Sequence, residues 1–301
     1  HPPAPTAPDI PAAKLPRVFL PDLLQALTHD AERPDGNALL TWGRTSDGWR
    51  YIYHRRGAFL PEMWNRLDGP AVVVLDGSAD ATIYTRLFAP WPVRLVNIGA
   101  PISPVVRIIQ APGVASTRRV MQDGRADAVP RHIAAIANEL RLTIAGGISY
   151  KGLAPVLAEQ LGGDWSLHYG AQRGRNGLEN AGVVAVVASP TAPPGAIERE
   201  ARALWRDDPP IDTTKTRVGV ADFTYADMRL ARVARSHGPE ELRQAVHRAR
   251  LVTRTTPTTV IVASPWQLAP LGLPVAATIT ELPAAQSAAS RDALVAYRQR
   301  A

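Results

Sequence analysis

The chain has 301 residues, of which 46% are hydrophobic and 20% are charged, proportions that are typical of a folded globular protein and exclude a disordered chain. Lys and Arg outnumber Asp and Glu by 34 to 27, which favours a polyanionic partner such as nucleic acid. The Arg-, Ala- and Pro-rich bias of a GC-rich coding sequence accounts for this excess equally well. The chain contains no cysteine, so disulfides, thiol nucleophiles and cysteine-ligated metals are excluded.

The amino-terminal part of the chain predicts a tail, a helix and a hairpin. Residues 1–16 contain six prolines, which indicates a flexible or polyproline-type tail or linker. Apolar residues at helical spacing predict an amphipathic helix over 18–32, and two β-type runs around a Ser-Asp-Gly turn predict a hairpin over 38–57. No apolar run reaches the roughly 18 to 20 residues of a membrane helix, and the start lacks the layout of a signal peptide. We therefore expect a cytoplasmic protein without a membrane partner.

Further along, short β-branched runs alternate with helical patterns. The runs that predict buried strands are 70–78, 92–99, 142–149, 183–190 and 259–265, and the segments that predict helices are 128–141, 151–161 and 239–252. Such alternation predicts an α/β architecture with a mainly parallel sheet, whose ligands bind at the carboxyl ends of the strands. Residues 110–124 interrupt the pattern and are the predicted domain junction. The proline-bounded stretch 189–217 predicts an insertion or lid with one helix.

The motifs that the sequence lacks narrow the possible functions. It contains no G-x-x-x-x-G-K-[ST] P-loop, no G-x-S-x-G, no H-E-x-x-H and no G-x-G-x-x-G, which weighs against a self-contained NTPase, a serine hydrolase, a zinc protease and a dinucleotide enzyme. His132 and His168 are isolated histidines, a pattern that is more typical of structural residues than of metal ligands. No metal site is predicted.

One stretch, HYGAQRGRNGLENAGVVAVVASP, joins a polar loop directly to a β-run. Gly174 permits close backbone approach, and Arg173 and Arg175 can bind phosphate in a forked geometry. Asn176 and Asn180 can read a backbone or cap a turn. The alternative is an ordinary solvated loop whose arginines face water.

Two further stretches carry candidate chemistry. In QAVHRAR, Gln244 and Arg248 are four residues apart and so lie on one face of the predicted helix, where Arg248 could reach a γ-phosphate. The alternative is an exposed cationic helix. In VVVLDGSAD, Asp76 and Ser78 follow a predicted strand, where they could sense a nucleotide or its metal ion, or could instead cap the helix predicted to begin near Ala81.

The order and spacing of these stretches resemble superfamily 2 helicases and related helicase-like NTPases. VVVLDGSAD is similar to the family's strand-end motif that links hydrolysis to strand movement, and LTIAGGISYKG to its nucleic-acid-contacting loop. HYGAQRGRNG resembles the R-G-x-N element, and QAVHRARLV resembles the Q-x-x-G-R-x-R arginine-finger helix. The resemblance covers residues 70–265. It implies a RecA-like fold with a mainly parallel sheet and flanking helices, divided after the tail into 17–112, the end of a first RecA-like domain, and 113–301, a second one.

The resemblance also implies roles for individual residues. The catalytic residues would be those of the finger helix, with Gln244 orienting Arg248 and Arg250 toward the γ-phosphate of ATP. The residues that would couple the nucleotide to strand movement are Asp76, Ser78, Arg173, Gly174 and Asn176. Those that would contact nucleic acid are Lys151, Arg175 and Asn180.

The family's P-loop and acidic Mg²⁺-binding motif are expected before His1, in an upstream RecA-like domain that would hold most of the ATP and Mg²⁺. The sequence is therefore interpreted as the C-terminal half of an ATP-dependent helicase or translocase, inactive as this stretch alone, with DNA favoured over RNA. Two alternatives stay open. One is a catalytically inactive nucleic-acid-binding module with a helicase-like fold, and the other is a nucleotide-binding transferase with a Rossmann-like domain.

Overall fold

The computed structural model describes residues 20–33, 36–37, 40–45, 48–53, 74, 76–89, 92–112, 128–171, 177–218 and 222–279. Numbered in chain order, the helices described are α1 (Leu20–Glu32), α2 (Ala81–Phe88), α3 (Ala128–Glu139), α4 (Ala154–Leu161), α5 (Pro194–Leu204), α6 (Met228–His237) and α7 (Pro239–His247). The strands are β1 (Leu40–Thr45), β2 (Gly48–Tyr53), β3 (Val106–Gln110), β4 (Gly146–Ser149), β5 (Asp164–His168), β6 (Val183–Val187), β7 (Lys215–Val218), β8 (Asp222–Tyr225), β9 (Thr258–Ala263) and β10 (Ala277–Thr278).

Six of these strands form one parallel sheet in the order β10-β3-β9-β6-β4-β5. Its central strands are continuous apolar runs, and all six residues of β9 are buried. Such runs form parallel strands because the helices of the crossover connections cover both faces of the sheet. The α/β class with a mainly parallel sheet and flanking helices is confirmed, and the arrangement is consistent with a RecA-like fold.

Alternate residues of each strand pack on opposite faces of the sheet. In β9, Ile261 packs on the face covered by α3 and α4, together with Ile133 and Leu157. Val260 packs on the opposite face, which is covered by α7 and contains Leu242. The buried side chains on both faces fix the register, since a slip of one residue would exchange the two faces.

A third, smaller core lies outside the sheet. Ile197 and Leu204 of α5 pack with Leu230 and Val233 of α6, and Ile83 of α2 packs against this cluster. The hairpin β7–β8 joins α5 to α6 along the chain and pairs antiparallel. The predicted insertion 189–217 does contain one helix, α5. It is the first part of a longer segment that runs from α5 through the β7–β8 hairpin to α6, here called the accessory layer.

Several elements match their prediction from sequence. The helices α1, α3 and α4, the β1–β2 hairpin and the strands β4 and β6 lie within the predicted segments, and β9 begins one residue before its predicted segment. The helix predicted over 239–252 is shorter, because α7 ends at His247 and Arg250 has a left-handed φ of 58°. A helix cannot continue through that conformation.

Other predictions were wrong or incomplete. The strand predicted over 92–99 is absent, and Leu95, Val96 and Ile98 are exposed, Ile98 by 85%. A β-type run becomes a strand only where a neighbouring strand accepts its backbone hydrogen bonds, and no described strand lies beside this one. The strands β3, β5 and β10 were not predicted.

Parts of the predicted organisation lie outside the described residues. These are the tail 1–16, most of the strand 70–78 and residues 113–124 of the proposed junction. The division after residue 112 stays a prediction, although β3, which precedes it, pairs with β9 and β10 in the sheet.

Candidate functional site

A cleft of about 920 Å³ lies at the carboxyl edge of the sheet. From the sheet side it is lined by the segments that directly follow β4, β5 and β6, which include Tyr150, Tyr169 and Pro190. Its other wall is formed by the start of α2 and by residues of α5, α6 and α7. Parallel strands bring their carboxyl ends to one edge, so residues distant in sequence meet there.

A hydrogen-bonded turn before α2 forms part of the cleft wall. Asp76 accepts hydrogen bonds from the Ser78 backbone N at 2.9 Å, from Ser78 Oγ at 2.8 Å and from Tyr84 Oη at 2.6 Å. From α7, Gln244 Nε2 donates to Ser78 Oγ, and Arg243 donates to the carbonyl of Gly77. The structure thus brings the predicted residues Asp76, Ser78 and Gln244 into one network.

The residue that caps α2 is Asp80. Its carboxylate accepts hydrogen bonds from the backbone N of Thr82 at 2.8 Å and of Ile83 at 3.1 Å. Asp76 and Ser78 therefore do not cap this helix, and the alternative role considered for them from sequence is excluded. Instead, the two side chains hydrogen-bond each other, and Ser78 also accepts a hydrogen bond from Gln244 of α7.

Two of the carboxylates that line the cleft are paired. Asp80 Oδ2 lies 2.9 Å from Arg232 Nη1, and Glu200 Oε2 lies 2.6 Å from His237 Nε2. Lys151 is also in the lining, is exposed, and has no ion pair within the described part of the chain. Its ammonium group is therefore available to an anion that enters the cleft.

Two tyrosines that line the cleft hydrogen-bond the backbone just after β6. Tyr150 donates its hydroxyl to the Ser189 carbonyl, and Tyr169 donates to the Ala188 carbonyl at 3.2 Å. Their rings meet edge to face with centroids 5.7 Å apart. Burial, and to a smaller degree Tyr150 and Glu241, raise the pKa of Tyr169 well above its usual range, so its hydroxyl stays a donor. Ala188 itself has a left-handed φ of 89°, a strained conformation that these bonds hold.

Helix α7 connects this edge of the sheet with the opposite one. At its start, Gly238 lies against Trp266, which follows β9. The contact is so close that a Cβ on Gly238 would come within 2.6 Å of the Trp266 ring. Beyond its end, Arg254 hydrogen-bonds the carbonyls of Leu178 and Ala181, which precede β6. Residues 248–254 thus lie at the amino edge. The structure therefore places the candidate arginines at the edge opposite the cleft that Asp76 and Ser78 line, and not at the carboxyl ends where the sequence predicted ligands to bind.

The two predicted finger arginines differ in their surroundings. Arg248 is half-buried, and its Nε is buried without a hydrogen-bond partner among the described residues. Arg250 is exposed, and its Nη2 lies 4.0 Å from Glu179 Oε2. The amide of Gln244 bonds Ser78, so the described contacts do not link it to either arginine.

The remaining predicted site residues are only partly described. Arg173, Gly174, Arg175 and Asn176 lie outside the described residues. Asn180 is exposed in the turn that precedes β6. The roles predicted for these five residues therefore stay predictions.

Sequence reasoning missed four residues at the two edges, namely Tyr84, Tyr150, Tyr169 and Arg254. A signal existed for the tyrosines, since Tyr150 and Tyr169 directly follow strands. No local signal marked Arg254. Two of its three hydrogen-bond partners, Leu178 and Ala181, lie more than 70 positions before it in the sequence.

Comparisons with protein-family models, with curated proteins and with solved structures return no match. Within the described segments, no group of three or more His, Asp or Glu side chains could hold a metal ion. None of the described helices is long and apolar enough to cross a bilayer.

Proposed function

We propose that the chain is part of an ATP-dependent nucleic-acid helicase or translocase, in which the amino edge of the sheet meets the nucleotide and the carboxyl edge meets the strand. The order of the motif-like stretches supports this function, as does an α/β sheet consistent with a RecA-like arrangement. The observation that carries the proposal is the Nε of Arg248, which is buried and has no hydrogen-bond partner among the residues that the structure describes.

A buried nitrogen without a partner costs roughly 1–3 kcal/mol, so folded proteins keep few of them, and a bound ligand, ion or water is a common reason for one. In the described residues, such nitrogens occur in Arg248, Arg199 and His168. Two of the three thus belong to the stretches QAVHRAR and HYGAQRGRN. Arg254, six residues after Arg248, is also buried but donates to three carbonyls, so burial alone does not leave an arginine unpaired here.

A phosphate group fits the donor set at the amino edge, because a guanidinium binds phosphate oxygens with charge-assisted, forked hydrogen bonds. In this proposal, Arg248 and Arg250 contact the terminal phosphate of ATP that an upstream RecA-like domain holds together with Mg²⁺. When bound, the nucleotide supplies a phosphoanhydride whose cleavage changes the affinity of the two domains for each other. Gln244, through Ser78 and Asp76, ties the same helix to the turn that lines the cleft.

At the other edge, the proposed strand contact is Lys151. Its ammonium group can neutralise one phosphate of a nucleic-acid backbone, and such contacts make binding weaken as salt rises. The overall excess of basic over acidic residues acts in the same direction. DNA is favoured over RNA as the partner in this proposal, and competition between the two strands in a binding assay tests that choice.

The first test is to read the coding DNA upstream of His1 for a P-loop and an acidic metal-binding motif. The whole gene product is then assayed for ATP hydrolysis with and without single-stranded DNA. Arg248→Ala is expected to lower kcat by about 100-fold or more, as loss of an arginine finger does, with DNA binding retained. Arg141→Ala is the control, because Arg141 is an exposed arginine outside the predicted finger segment.

Three outcomes separate the possibilities. A P-loop upstream and a turnover defect confined to Arg248→Ala support the motor. Salt-sensitive DNA binding without any ATP hydrolysis supports the inactive binding module instead. If Arg248→Ala hydrolyses ATP as fast as Arg141→Ala, Arg248 is not the finger and the assignment fails.

A further inference from the structure

Arg254 is a buried arginine, 7% exposed, that bonds three backbone carbonyls from two separate segments. Its Nε donates to the Ala249 carbonyl at 2.8 Å, and its Nη2 donates to Leu178 and Ala181 at 2.9 and 2.8 Å. Burial lowers the pKa of Arg254, with Glu179 acting in the opposite direction. A guanidinium nevertheless stays charged at neutral pH, so a full cation is buried between these carbonyls.

The two segments that Arg254 joins are functionally distinct in the proposed motor. Ala249 stands between Arg248 and Arg250, just beyond the end of α7. Leu178 and Ala181 belong to the turn that leads into β6, and Glu179, the acidic neighbour of Arg250, lies in the same turn. Arg254 thus supplies the described hydrogen bonds from the arginine segment to the approach of a central strand, beside the Arg250–Glu179 contact.

This anchoring matters because Arg248 and Arg250 lie beyond the regular hydrogen bonds of the helix. Arg250 has a left-handed φ of 58°, and the segment after it is held by short-range turn bonds, such as Thr253 N to the Arg250 carbonyl at 3.1 Å. Its hydrogen bonds with the rest of the amino edge come from Arg254 and from Ser103, which donates to the Leu251 and Arg254 carbonyls. Arg250 also lies 4.0 Å from Glu179, and Leu251 packs in the same buried cluster as Leu178. Ser103 does not reach the turn before β6 by any described bond.

We propose that Arg254 is a positioning residue, which holds Arg248 and Arg250 at a fixed place against the turn 177–181 so that both can meet one phosphate group. The inference rests on the proposed function for its consequence, but its geometric claim concerns this chain alone. Arg254 is assigned no contact with the nucleotide, because it is 7% exposed and its Nε and Nη2 donate to backbone carbonyls.

Arg254→Lys separates a positioning role from a purely structural one. Lysine keeps the positive charge, but a single ammonium group cannot span both segments as the forked guanidinium does. In the whole gene product, kcat for ATP hydrolysis is expected to fall by about 10- to 100-fold, the size of effect that a small misplacement of a catalytic group produces. KM for ATP is expected to change little, since another domain holds most of the nucleotide. Ser103→Ala is the matched control, because it removes a bond to the same segment without releasing the turn 177–181.

The contrary results are equally specific. A kcat equal to that of the wild type in Arg254→Lys overturns the proposal, and so does a fall in kcat that matches the fraction of unfolded protein. An equal loss in Ser103→Ala also overturns it, because general loosening of the segment would then explain both variants.

Hydrogen exchange of the 301-residue chain alone makes the inference independent of turnover. In Arg254→Lys, amides of 177–182 and 248–252 are expected to exchange faster, while those of β6 and β9 keep their protection. Unchanged exchange in both segments overturns the positioning role. If the wild-type gene product hydrolyses no ATP at all, the proposed function fails, and the exchange result still decides whether Arg254 positions these segments.

Discussion

The two edges of the parallel sheet differ in how their polar groups are satisfied. At the carboxyl edge, tyrosine hydroxyls bond strand-end carbonyls and two of the lining carboxylates are paired with cations. At the amino edge, three arginines lie within seven positions yet have different surroundings. Arg254 bonds three carbonyls, and Arg250 has an acidic neighbour 4.0 Å away. Arg248 has a buried nitrogen with no partner in the described segments. The role of each arginine therefore follows from its partners and cannot be read from its residue type.

The largest expected effect is on the stability of the amino edge. Arg254→Met leaves the carbonyls of Leu178, Ala181 and Ala249 without their donor, and breaking a buried charged network of this kind costs about 3 kcal/mol or more. Urea unfolding measures the loss. Ser103→Ala is expected to cost no more than about 1 kcal/mol in the same measurement. Equal losses in the two variants would contradict the central place given to Arg254.

For Arg248, substitution is expected to raise the free energy of unfolding rather than lower it. Arg248→Met removes a buried nitrogen that no described group bonds, so the free energy of unfolding of the chain without nucleotide is expected to rise by about 1 kcal/mol. The same change at Arg141, which is exposed, should leave stability within about 0.5 kcal/mol of the wild type. A loss of stability in Arg248→Met would show that its guanidinium supports the fold rather than a ligand.

At the carboxyl edge, a smaller effect is expected from single hydroxyl groups. Tyr150→Phe removes the donor to the Ser189 carbonyl and is expected to cost about 1 kcal/mol in urea unfolding. Tyr169→Phe should cost less, because its bond to Ala188 is longer, at 3.2 Å. The double variant tests whether the two hydroxyls act together, and strictly additive losses would show that the tyrosines brace their carbonyls independently.

The smallest effect is a pH dependence in the accessory layer. The side-chain hydrogen bonds of Arg229 lower the pKa of Asp227, which also caps α6 and accepts the backbone N of Asp212. A carboxylate whose pKa is lower in the folded than in the unfolded state stabilises the fold above its unfolded pKa, and this stabilisation is lost as pH falls through the folded pKa. Asp227→Asn is therefore expected to lose under about 1 kcal/mol at neutral pH and to flatten the acid limb of the stability curve. Identical acid limbs in the wild type and the variant would contradict the pairing.

The sequence predicted the fold class because long apolar runs and helical periodicity are local signals. β6 and β9 are continuous apolar runs, and α3 and α4 have strong helical spacing, so these elements required no tertiary information. The run 92–99 has the same local signal, yet it forms no strand and exposes Ile98. β3 and β5 have weaker local signals. They form strands nonetheless, because their neighbours β9 and β4 supply the partners for their backbone hydrogen bonds.

Of the candidate site, the sequence by itself determined which residue types were present and in which order, including the arginines after α7 and the Asp-Gly-Ser turn. Only the tertiary structure decided that Gln244 bonds Ser78, that no described group bonds the buried nitrogen of Arg248, and that Arg254 joins two segments. Composition and spacing are properties of the chain, so a sequence contains them in full. The hydrogen-bond partners of a buried polar group depend on which distant segments meet when the chain folds. Because an unpaired buried group costs free energy, these three residues differ in what their side chains contribute.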